Sequence, residues 1–190
     1  MSGVQCLLRT ALAHDLRGSI DHVEKPLTKI GLISDTHGLL RDEAFDGLSG
    51  SDLIIHAGDV GSPEIIDALK TIAPVVVVKG NIDNDPWAAA WPPTGIAQTG
   101  SAVIYVLHNI RELDLDPAAA GFHIVVSGHS HDPSRIERDG VLYLNPGSAG
   151  PRRFKLPVTI ARLDLSSTPW SVRFISLDDR QGDLNMNSRT

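Results

Sequence analysis

The strongest constraint on this chain is a recurring pattern in which a short apolar run, typical of a buried strand, is followed by Asp, Asn or His. Five runs show it: Ile30–Ile33, Leu53–His56, Val75–Val78, Ala102–Leu107 and Ile124–Ser127. The first run leads into Asp35 and His37, which alone would be typical of an ordinary polar loop. Because the pattern recurs along the chain, we interpret these polar residues as parts of one site.

The segments between the first three runs have the pattern of helices. Residues 39–48 carry apolar side chains at helical spacing, and Gly50 marks the end of that segment. Ser62 fits an N-cap, with Pro63 at the first helical position and Glu64 in the first turn. The order β-α-β-α-β predicts an α/β fold with a parallel core.

The rest of the chain is predicted to be mostly strands, which would extend the parallel core with antiparallel pairs. The predicted pairs are 95–98 with 102–107, 135–137 with 141–144 around Asp139-Gly140, and 158–165 with 171–177. Residues 111–120 are predicted to form a surface helix. Residues 1–26 have no clear period, so we expect an N-terminal extension, a single domain over residues 27–190 and a frayed tail from Asp179.

Composition excludes several classes of protein. The chain has 190 residues, 42% of them hydrophobic, which fits one soluble domain. The net charge of -6 argues against a broad nucleic-acid surface. No apolar run approaches the length of a membrane span, and no secretory signal is evident. The single cysteine, Cys6, fits a reducing compartment, so we expect a cytoplasmic protein.

The residues that follow the strands are metal-ligand types. Functional residues of open α/β sheets collect at the carboxyl ends of strands, so we expect these residues to converge. The candidates are Asp35, His37, Asp59, Asn81, His108, His129 and His131. Oxygen and imidazole donors without a thiol are typical of a site for divalent Mn, Fe or Zn. A structural zinc site would usually include Cys. Seven donors are about right for two ions that share a carboxylate, an arrangement that activates water for phosphoryl transfer.

These motifs resemble the signature of the calcineurin-like phosphoesterase superfamily. The matching pieces are Asp35-x-His37, Gly58-Asp59, Gly80-Asn81 with Asp83, His108 and Gly128-His129-x-His131. The Asn145-Pro-Gly-Ser148 segment, followed by Pro151-Arg152, is similar to the small bacterial and archaeal phosphodiesterase branch. The resemblance covers residues 29–177 and implies a metallo-dependent phosphatase-like fold, a four-layer αββα sandwich of two mixed β-sheets flanked by helices.

The resemblance also implies a function and a role for each residue. It implies a dinuclear phosphoesterase, in the first place a phosphodiesterase, in which a metal-bridging hydroxide attacks phosphorus. One ion would bind Asp35, His37, Asp59 and His131, and the other would bind Asp59, Asn81, His108 and His129. Asp59 would be the bridge, Asn81 would also contact substrate, and Asp83 would orient a ligand. Mn is the favoured metal, with Fe, Zn, Ni and Mg as alternatives.

The chain departs from the superfamily pattern at two positions. Larger members place a His directly after the Asn, and that His assists the leaving group, whereas this chain has Ile82. We therefore expect weak general-acid assistance and a preference for good leaving groups, or another proton source. After His108 the family often has Gly, whereas this chain has Asn109; we still favour His108 as a ligand.

Other polar residues have weaker assignments. The candidates for the substrate pocket are Arg152 with Arg153 and Asn145 with Ser148. The two arginines fit a phosphate contact and fit a solvated basic pair equally well. The Asn-Pro-Gly-Ser segment is expected first to form a turn, and substrate contact stays open. His56 and His123 lie within or at the start of strands, so we predict structural roles for both.

Two other functions compete with a phosphodiesterase. A retromer subunit related to this fold serves chiefly as a protein-interaction scaffold, but a scaffold can lose histidines and this chain keeps all seven donors. A nuclease is disfavoured because no basic stripe with interleaved aromatic residues is present. The predicted partner is a small phosphoester, with no membrane and no dedicated nucleic-acid surface. Whether the chain forms a homo-oligomer, and whether the substrate is a cyclic nucleotide, another diester or a monoester, stays open.

Overall fold

The computed structural model describes residues 27–153 and 155–178. The predicted extension over residues 1–26 and the predicted tail over 179–190 lie outside the described residues. In chain order the elements are β1 (Lys29–Ile33), α1 (Asp42–Leu48), β2 (Leu53–His56), α2 (Pro63–Lys70), β3 (Val75–Val77), β4 (Thr94–Gln98), β5 (Val103–Leu107), β6 (Ile124–Val126), β7 (Ser134–Arg138), β8 (Val141–Asn145), β9 (Thr159–Asp164) and β10 (Ser171–Ser176). Short 3-10 helices cover Pro86–Ala88 and Ile110–Glu112.

The strands form two mixed sheets, as predicted. The first has the order β10-β9-β1-β2-β3, in which β1, β2 and β3 run parallel and β9 and β10 are antiparallel additions. The second has the order β4-β5-β6-β8-β7, in which β5, β6 and β8 run parallel between two antiparallel edge strands. All three predicted antiparallel pairs are present, so the α/β class with two mixed sheets is confirmed.

Alternation along the strands divides the core into layers. Ile30 and Leu32 of β1 belong to the cluster between the two sheets, together with Ile104 and Val106 of β5. Ile33 instead belongs to the cluster beneath α1 and α2. Burial of each such side chain contributes on the order of 1.5–3 kcal/mol. In the described residues no helix is long and apolar enough to cross a membrane.

The predicted helix over residues 111–120 is wrong. The structure has a 3-10 helix at Ile110–Glu112, followed by turns without an α-helix. Apolar and polar residues alternate from Leu113 to Pro117, and a residue before proline disfavours the helical conformation. Leu113 and Leu115 still pack on the outer face of the second sheet, so this segment covers the sheet without becoming a helix.

Candidate metal centre

The carboxyl ends of strands from both sheets meet at one edge of the sandwich. The loop after β1 joins the loop after β2 through a hydrogen bond from Asp35 N to Gly58 O, 3.0 Å. The loop after β6 joins both neighbours, since Gly128 N donates to His108 O at 2.9 Å and His129 N donates to Asp35 Oδ2 at 3.1 Å. Six of the seven sequence-predicted donors lie on these loops or directly after β5, and Asn81 lies on the loop after β3.

Five of the donors form an inner group with largely buried side chains. Its members are Asp35, His37, Asp59, His108 and His131. His131 Nε2 lies 3.2 Å from Asp35 Oδ1 and 3.4 Å from His37 Nε2. Asp59 Oδ2 lies 3.4 Å from His108 Nε2 and 3.8 Å from His37 Nε2. The Asp59 carboxylate therefore lies within reach of histidines on both sides of the inner group.

The other two donors form an outer pair. Asn81 Oδ1 lies 3.1 Å from His129 Nδ1, and both residues are exposed. The rings of His129 and His108 are 5.2 Å apart between centroids, which places the outer pair on the His108 side of the inner group. The structure thus brings together all seven predicted donors, five in a buried setting and two at its rim.

Two buried polar atoms of the inner group have no hydrogen-bond partner in the described chain, Asp35 Oδ1 and His108 Nε2. His108 Nδ1 lies 2.7 Å from Ala57 O, so the Nδ1–H donates to that carbonyl and the lone pair of Nε2 is left free. An unsatisfied buried polar atom costs on the order of 1–3 kcal/mol. Two sets of side chains bring ligand atoms within 4.8 Å of one another, Asp35-His37-His131 and Asp35-Asp59-His108. These donors fit divalent cations.

The backbone at the site adopts an unusual conformation. Asp35, His37, Asp59, His129 and His131 have φ angles of 55°, 47°, 55°, 67° and 59°. Among described non-glycine residues only Asp139, in a hairpin turn, shares this left-handed region. Such a conformation costs on the order of 1–3 kcal/mol per residue and persists where surrounding structure enforces it. The ligands are therefore aimed by strained loops.

Two glycines of the motifs allow the loops to approach the carboxylates. A Cβ at Gly80 would lie 2.1 Å from Asp59 Oδ1, closer than any real contact. A Cβ at Gly128 would lie 1.9 Å from Ser34 Oγ and 2.8 Å from Asp35 Oδ2. Glycine is required where one backbone passes this close to another group. Steric limits therefore explain why glycine precedes both Asn81 and His129.

Asp83 supports the site through the backbone. Its carboxylate accepts hydrogen bonds from Val60 N (3.1 Å), Gly61 N (2.9 Å) and Gly80 N (2.8 Å), and its side chain is buried. The sequence led us to expect Asp83 to orient a ligand side chain directly. In the structure it ties together the loops that carry Asp59 and Asn81, and the carbonyl of Ala57 is the group that orients His108.

The candidates for substrate contact occupy different positions. Asn145 Nδ2 donates to Gly128 O at 2.7 Å, and Ser148 Oγ donates to Asp35 O at 3.0 Å, so both side chains brace the ligand loops. Arg152 forms an ion pair with Asp178. Arg153 lies instead beside the inner group, with its Nη2 3.5 Å from His37 Nδ1.

Burial and neighbouring charges shift the pKa values of three inner residues. Burial raises the pKa of Asp59, but His108, the Ile82 N–H and His37 together lower it by more, so the net pKa lies below the usual value. Burial lowers the pKa of His108, but Asp59 and the Ala57 carbonyl raise it above the usual value. For His37, burial first and Arg153 second hold the pKa below the usual value. The Asp59 carboxylate therefore stays anionic and suited to a cation.

His56 is a structural residue, as predicted. It is fully buried, and its Nδ1 accepts a hydrogen bond from Gly58 N at 3.3 Å. Its Nε2–H therefore donates to Thr36 Oγ1 at 2.9 Å, and that hydroxyl donates to Val60 O at 2.9 Å. Burial lowers the pKa of His56 to about 4. Sequence reasoning missed Thr36, although its place between Asp35 and His37 was a signal.

Comparison with known sequences identifies the family. A sequence model of the calcineurin-like phosphoesterase superfamily domain matches residues 28–168. A probable metallophosphoesterase from Methanothermobacter thermautotrophicus is 33% identical over 151 residues, which cover 71% of this chain and 86% of that protein. The chain belongs to the calcineurin-like phosphoesterase superfamily, as its motifs predict.

Solved structures have the same fold. A predicted phosphoesterase from Streptococcus pneumoniae has a TM-score of 0.64 and 27% identity, with 78% of this chain and 89% of that one covered. Vacuolar Protein Sorting 29 from Cryptosporidium parvum has a TM-score of 0.69 and 23% identity, covering 81% and 93%. An archaeal phosphodiesterase has a TM-score of 0.68 and 23% identity, covering 78% and 99%. At these identities the last two likenesses concern the fold alone.

Proposed function

We propose that this protein is a dinuclear metal-dependent phosphodiesterase that acts on a small phosphoester. The observation that carries the proposal is the inner group of five donors, with Asn81 and His129 at its rim, because this group contains two buried, unpartnered ligand atoms, Asp35 Oδ1 and His108 Nε2. Leaving such atoms unpaired costs free energy, and a divalent cation is a partner that suits both a carboxylate oxygen and an imidazole lone pair.

The residues divide between two ions. Asp35, His37, Asp59 and His131 would hold the first, and Asp59, Asn81, His108 and His129 would hold the second. The position of Asp59 Oδ2, 3.8 Å from His37 Nε2 and 3.4 Å from His108 Nε2, supports its role as the shared carboxylate. When bound, two such ions supply a nucleophile from water at neutral pH and stabilise phosphoryl charge. Mn is the metal we favour.

The chain's own residues set the kind of ester that is cleaved. Ile82, which stands in place of a proton donor, is 41% exposed at the rim, and its N–H donates to Asp59 Oδ1 at 3.1 Å. The Ile82 side chain cannot protonate a departing oxygen, so esters with good leaving groups should react best. Arg153, which is exposed beside His37, can contact a phosphoryl oxygen more readily than Arg152, whose guanidinium is paired with Asp178.

A second candidate is a metal-binding scaffold for protein interaction with little or no turnover. The fold likeness to Vacuolar Protein Sorting 29 supports this candidate. The strained ligand loops favour the enzyme, because backbone strain of this kind is concentrated at sites whose ligands must be held ready. A scaffold needs only a surface, and a surface does not require seven converging donors.

The test is metal analysis of the purified chain together with hydrolysis of bis(4-nitrophenyl) phosphate and 4-nitrophenyl phosphate in added Mn. We expect close to two ions per chain and faster hydrolysis of the diester. Faster hydrolysis of the monoester would retain the phosphoesterase and overturn the diester preference. A chain that binds no metal and hydrolyses neither ester in Mn would overturn the enzyme and favour the scaffold.

A further inference from the structure

Two loops of the first sheet carry three of the four residues that we assign to the first ion. The first loop follows β1 and holds Asp35 and His37, and the second loop follows β2 and holds Asp59. The φ angles of these residues are 55°, 47° and 55°, a region that costs free energy and persists only where neighbouring groups enforce it. The contacts between the two loops therefore decide how well these ligands are held.

The backbones of the two loops are joined by hydrogen bonds in which the first loop donates and the second accepts. The pairs are Asp35 N to Gly58 O (3.0 Å), His37 N to Asp59 O (3.0 Å) and Gly38 N to Val60 O (2.8 Å). Thr36, which lies between the two ligands of the first loop, contributes its side chain, since its Oγ1 donates to Val60 O at 2.9 Å. The Thr36 hydroxyl is thus a further link between the loops.

His56, the last residue of β2, holds the Thr36 hydroxyl in place. Its Nε2–H donates to Thr36 Oγ1 at 2.9 Å, and its Nδ1 accepts from Gly58 N at 3.3 Å. Both side chains are 0% exposed. Because the pair is fully buried, removal of either partner would leave a polar group of the other without a hydrogen bond.

These groups form a hydrogen-bond relay with a fixed direction. It starts at the Gly58 N–H, passes through His56 and Thr36 and ends at Val60 O. Because Nδ1 of the imidazole accepts from Gly58, the ring proton is on Nε2, and the Thr36 hydroxyl turns its own proton towards Val60. The two ends of the relay are the chain neighbours of Asp59, and its middle lies between the two ligands of the first loop.

We propose that Thr36 and His56 are positioning residues for the first ion. Their relay fixes Asp35 and His37 relative to Asp59 and thereby raises the affinity of this position for a divalent cation. The inference rests on the proposed function, in which these three ligands share that ion. The Thr36 and His56 side chains bond to each other, so they act on the ion through the ligands. A merely structural role would change stability alone, whereas a positioning role changes the metal affinity as well.

The first test is Thr36→Val, which keeps the shape of the side chain and removes the hydroxyl. The metal-free chain is titrated with Mn²⁺, and free Mn²⁺ is measured by electron paramagnetic resonance. We expect the dissociation constant of the tighter-bound Mn²⁺ to rise about tenfold, the lower end of the effect of changing a residue that supports a metal ligand. Thr36→Ser, which keeps the hydroxyl, should restore a dissociation constant close to that of the wild type.

The matched control is Thr99→Val, in the turn between β4 and β5. Thr99 Oγ1 also donates to a backbone carbonyl, that of Ala102 at 3.0 Å, but it lies outside the loops of the metal centre. This variant should bind Mn²⁺ as the wild type does. Equal Mn²⁺ affinity of Thr36→Val and the wild type, or an equal loss in Thr36→Val and Thr99→Val, would overturn the positioning role.

A second substitution tests the relay from its other side. His56→Leu removes the imidazole and leaves Thr36 in place, so it should also weaken Mn²⁺ binding by about tenfold. If one relay carries both effects, the double variant should bind Mn²⁺ about as well as either single variant, whereas separate effects would multiply to about 100-fold and overturn the relay. If neither single variant folds, the pair is a requirement of the fold itself, and a role in metal affinity is overturned.

Amide hydrogen exchange separates failure of this inference from failure of the proposed function. In the metal-free chain the N–H groups of His37 and Gly38 should exchange faster in Thr36→Val than in Thr36→Ser, because the two loops separate more often. A wild type that binds no Mn²⁺ would overturn the proposed function and the positioning role with it. If the wild type binds Mn²⁺ and Thr36→Val matches it in both exchange and affinity, the inference alone is overturned.

Discussion

The inner group and the outer pair are two parts of one site that differ in burial and in the way their side chains are held. Asp35, Asp59, His108 and His131 are at most 8% exposed, and backbone groups of neighbouring loops hold their positions. Asn81 and His129 are exposed, and the hydrogen bond that their side chains form joins them to each other. The inner ligands are thus fixed by the fold before an ion binds, whereas the outer side chains can still rotate.

The difference has consequences for the order of metal binding. A preorganised set of ligands loses less conformational entropy on binding than a mobile set, so its affinity is higher. We expect the ion held by the inner ligands to bind more tightly, and the ion that depends on Asn81 and His129 to be lost first on dilution or chelation. Substitutions in the two parts should therefore differ in kind as well as in size.

The largest effect is expected from Asp59→Asn, because this change removes the carboxylate that both ions would share. We predict a fall in kcat/KM for bis(4-nitrophenyl) phosphate of about 10³-fold and fewer than two bound ions per chain. Steady-state kinetics and metal analysis measure the two quantities. Activity at the wild-type level in metal-replete buffer would rule out Asp59 as the bridge.

The next effect concerns the fold beneath the inner group and is tested with His56→Gln. The pKa of His56 is lowered to about 4 in the folded chain, against a usual value of 6.5. As pH falls from 7 to 4, the unfolded chain binds a proton at this residue before the folded chain does, so wild-type stability falls. This loss amounts to about 3 kcal/mol. The variant does not undergo it, because it has no imidazole at this position.

Urea unfolding in a chelating buffer at pH 7 and at pH 4 measures the effect. At pH 7 the variant should be less stable than the wild type, because Thr36 and Gly58 lose their partner. The gap in unfolding free energy should narrow by about 3 kcal/mol at pH 4. A gap that is the same at both pH values would contradict the neutral, buried state of His56.

A smaller effect is expected from Gly80→Ala, because Gly80 lies between Asp59 of the inner group and Asn81 of the outer pair. The added Cβ would meet Asp59 Oδ1 and displace the shared carboxylate without removing it. We expect kcat/KM to fall by about 10- to 100-fold, the usual cost of disturbing the support of a metal ligand. Gly100→Ala is the matched control, since a Cβ there meets nothing within 4 Å. Equal kinetics for the two variants would show that the close approach at Gly80 has no importance.

The smallest effect is expected from His129→Ala in the outer pair. This variant should need more Mn for full activity and lose about tenfold in kcat/KM at saturating Mn. Its metal-free unfolding free energy should stay within about 0.5 kcal/mol of the wild type, because the side chain is exposed. His131→Ala is the comparison from the inner group and should alter both quantities more. Equal effects of the two substitutions would remove the distinction between the two parts.

Much of this arrangement was predictable from the sequence. The apolar runs predicted the strands and their order, and the Asp, Asn and His residues after them predicted where polar side chains would gather. The predicted helix over residues 111–120 was wrong because apolar and polar residues alternate there up to Pro117, a pattern that does not favour a helix. The buried and exposed parts of the site could not be told apart, because a motif gives residue types and not burial. The support from the Ala57 carbonyl left no signal, since any residue offers a backbone oxygen.

One feature of the fold has a mechanical consequence. Asp35, His37, Asp59 and Asn81 follow strands of the first sheet, and His108, His129 and His131 follow strands of the second. Each proposed ion would take ligands from both sheets and would act as a removable cross-link between the two halves of the sandwich. An ion at about 1,000 times its dissociation constant adds about 4 kcal/mol to the stability of the folded state. Metal supply would then set the stability of the folded chain as well as whether the site can react.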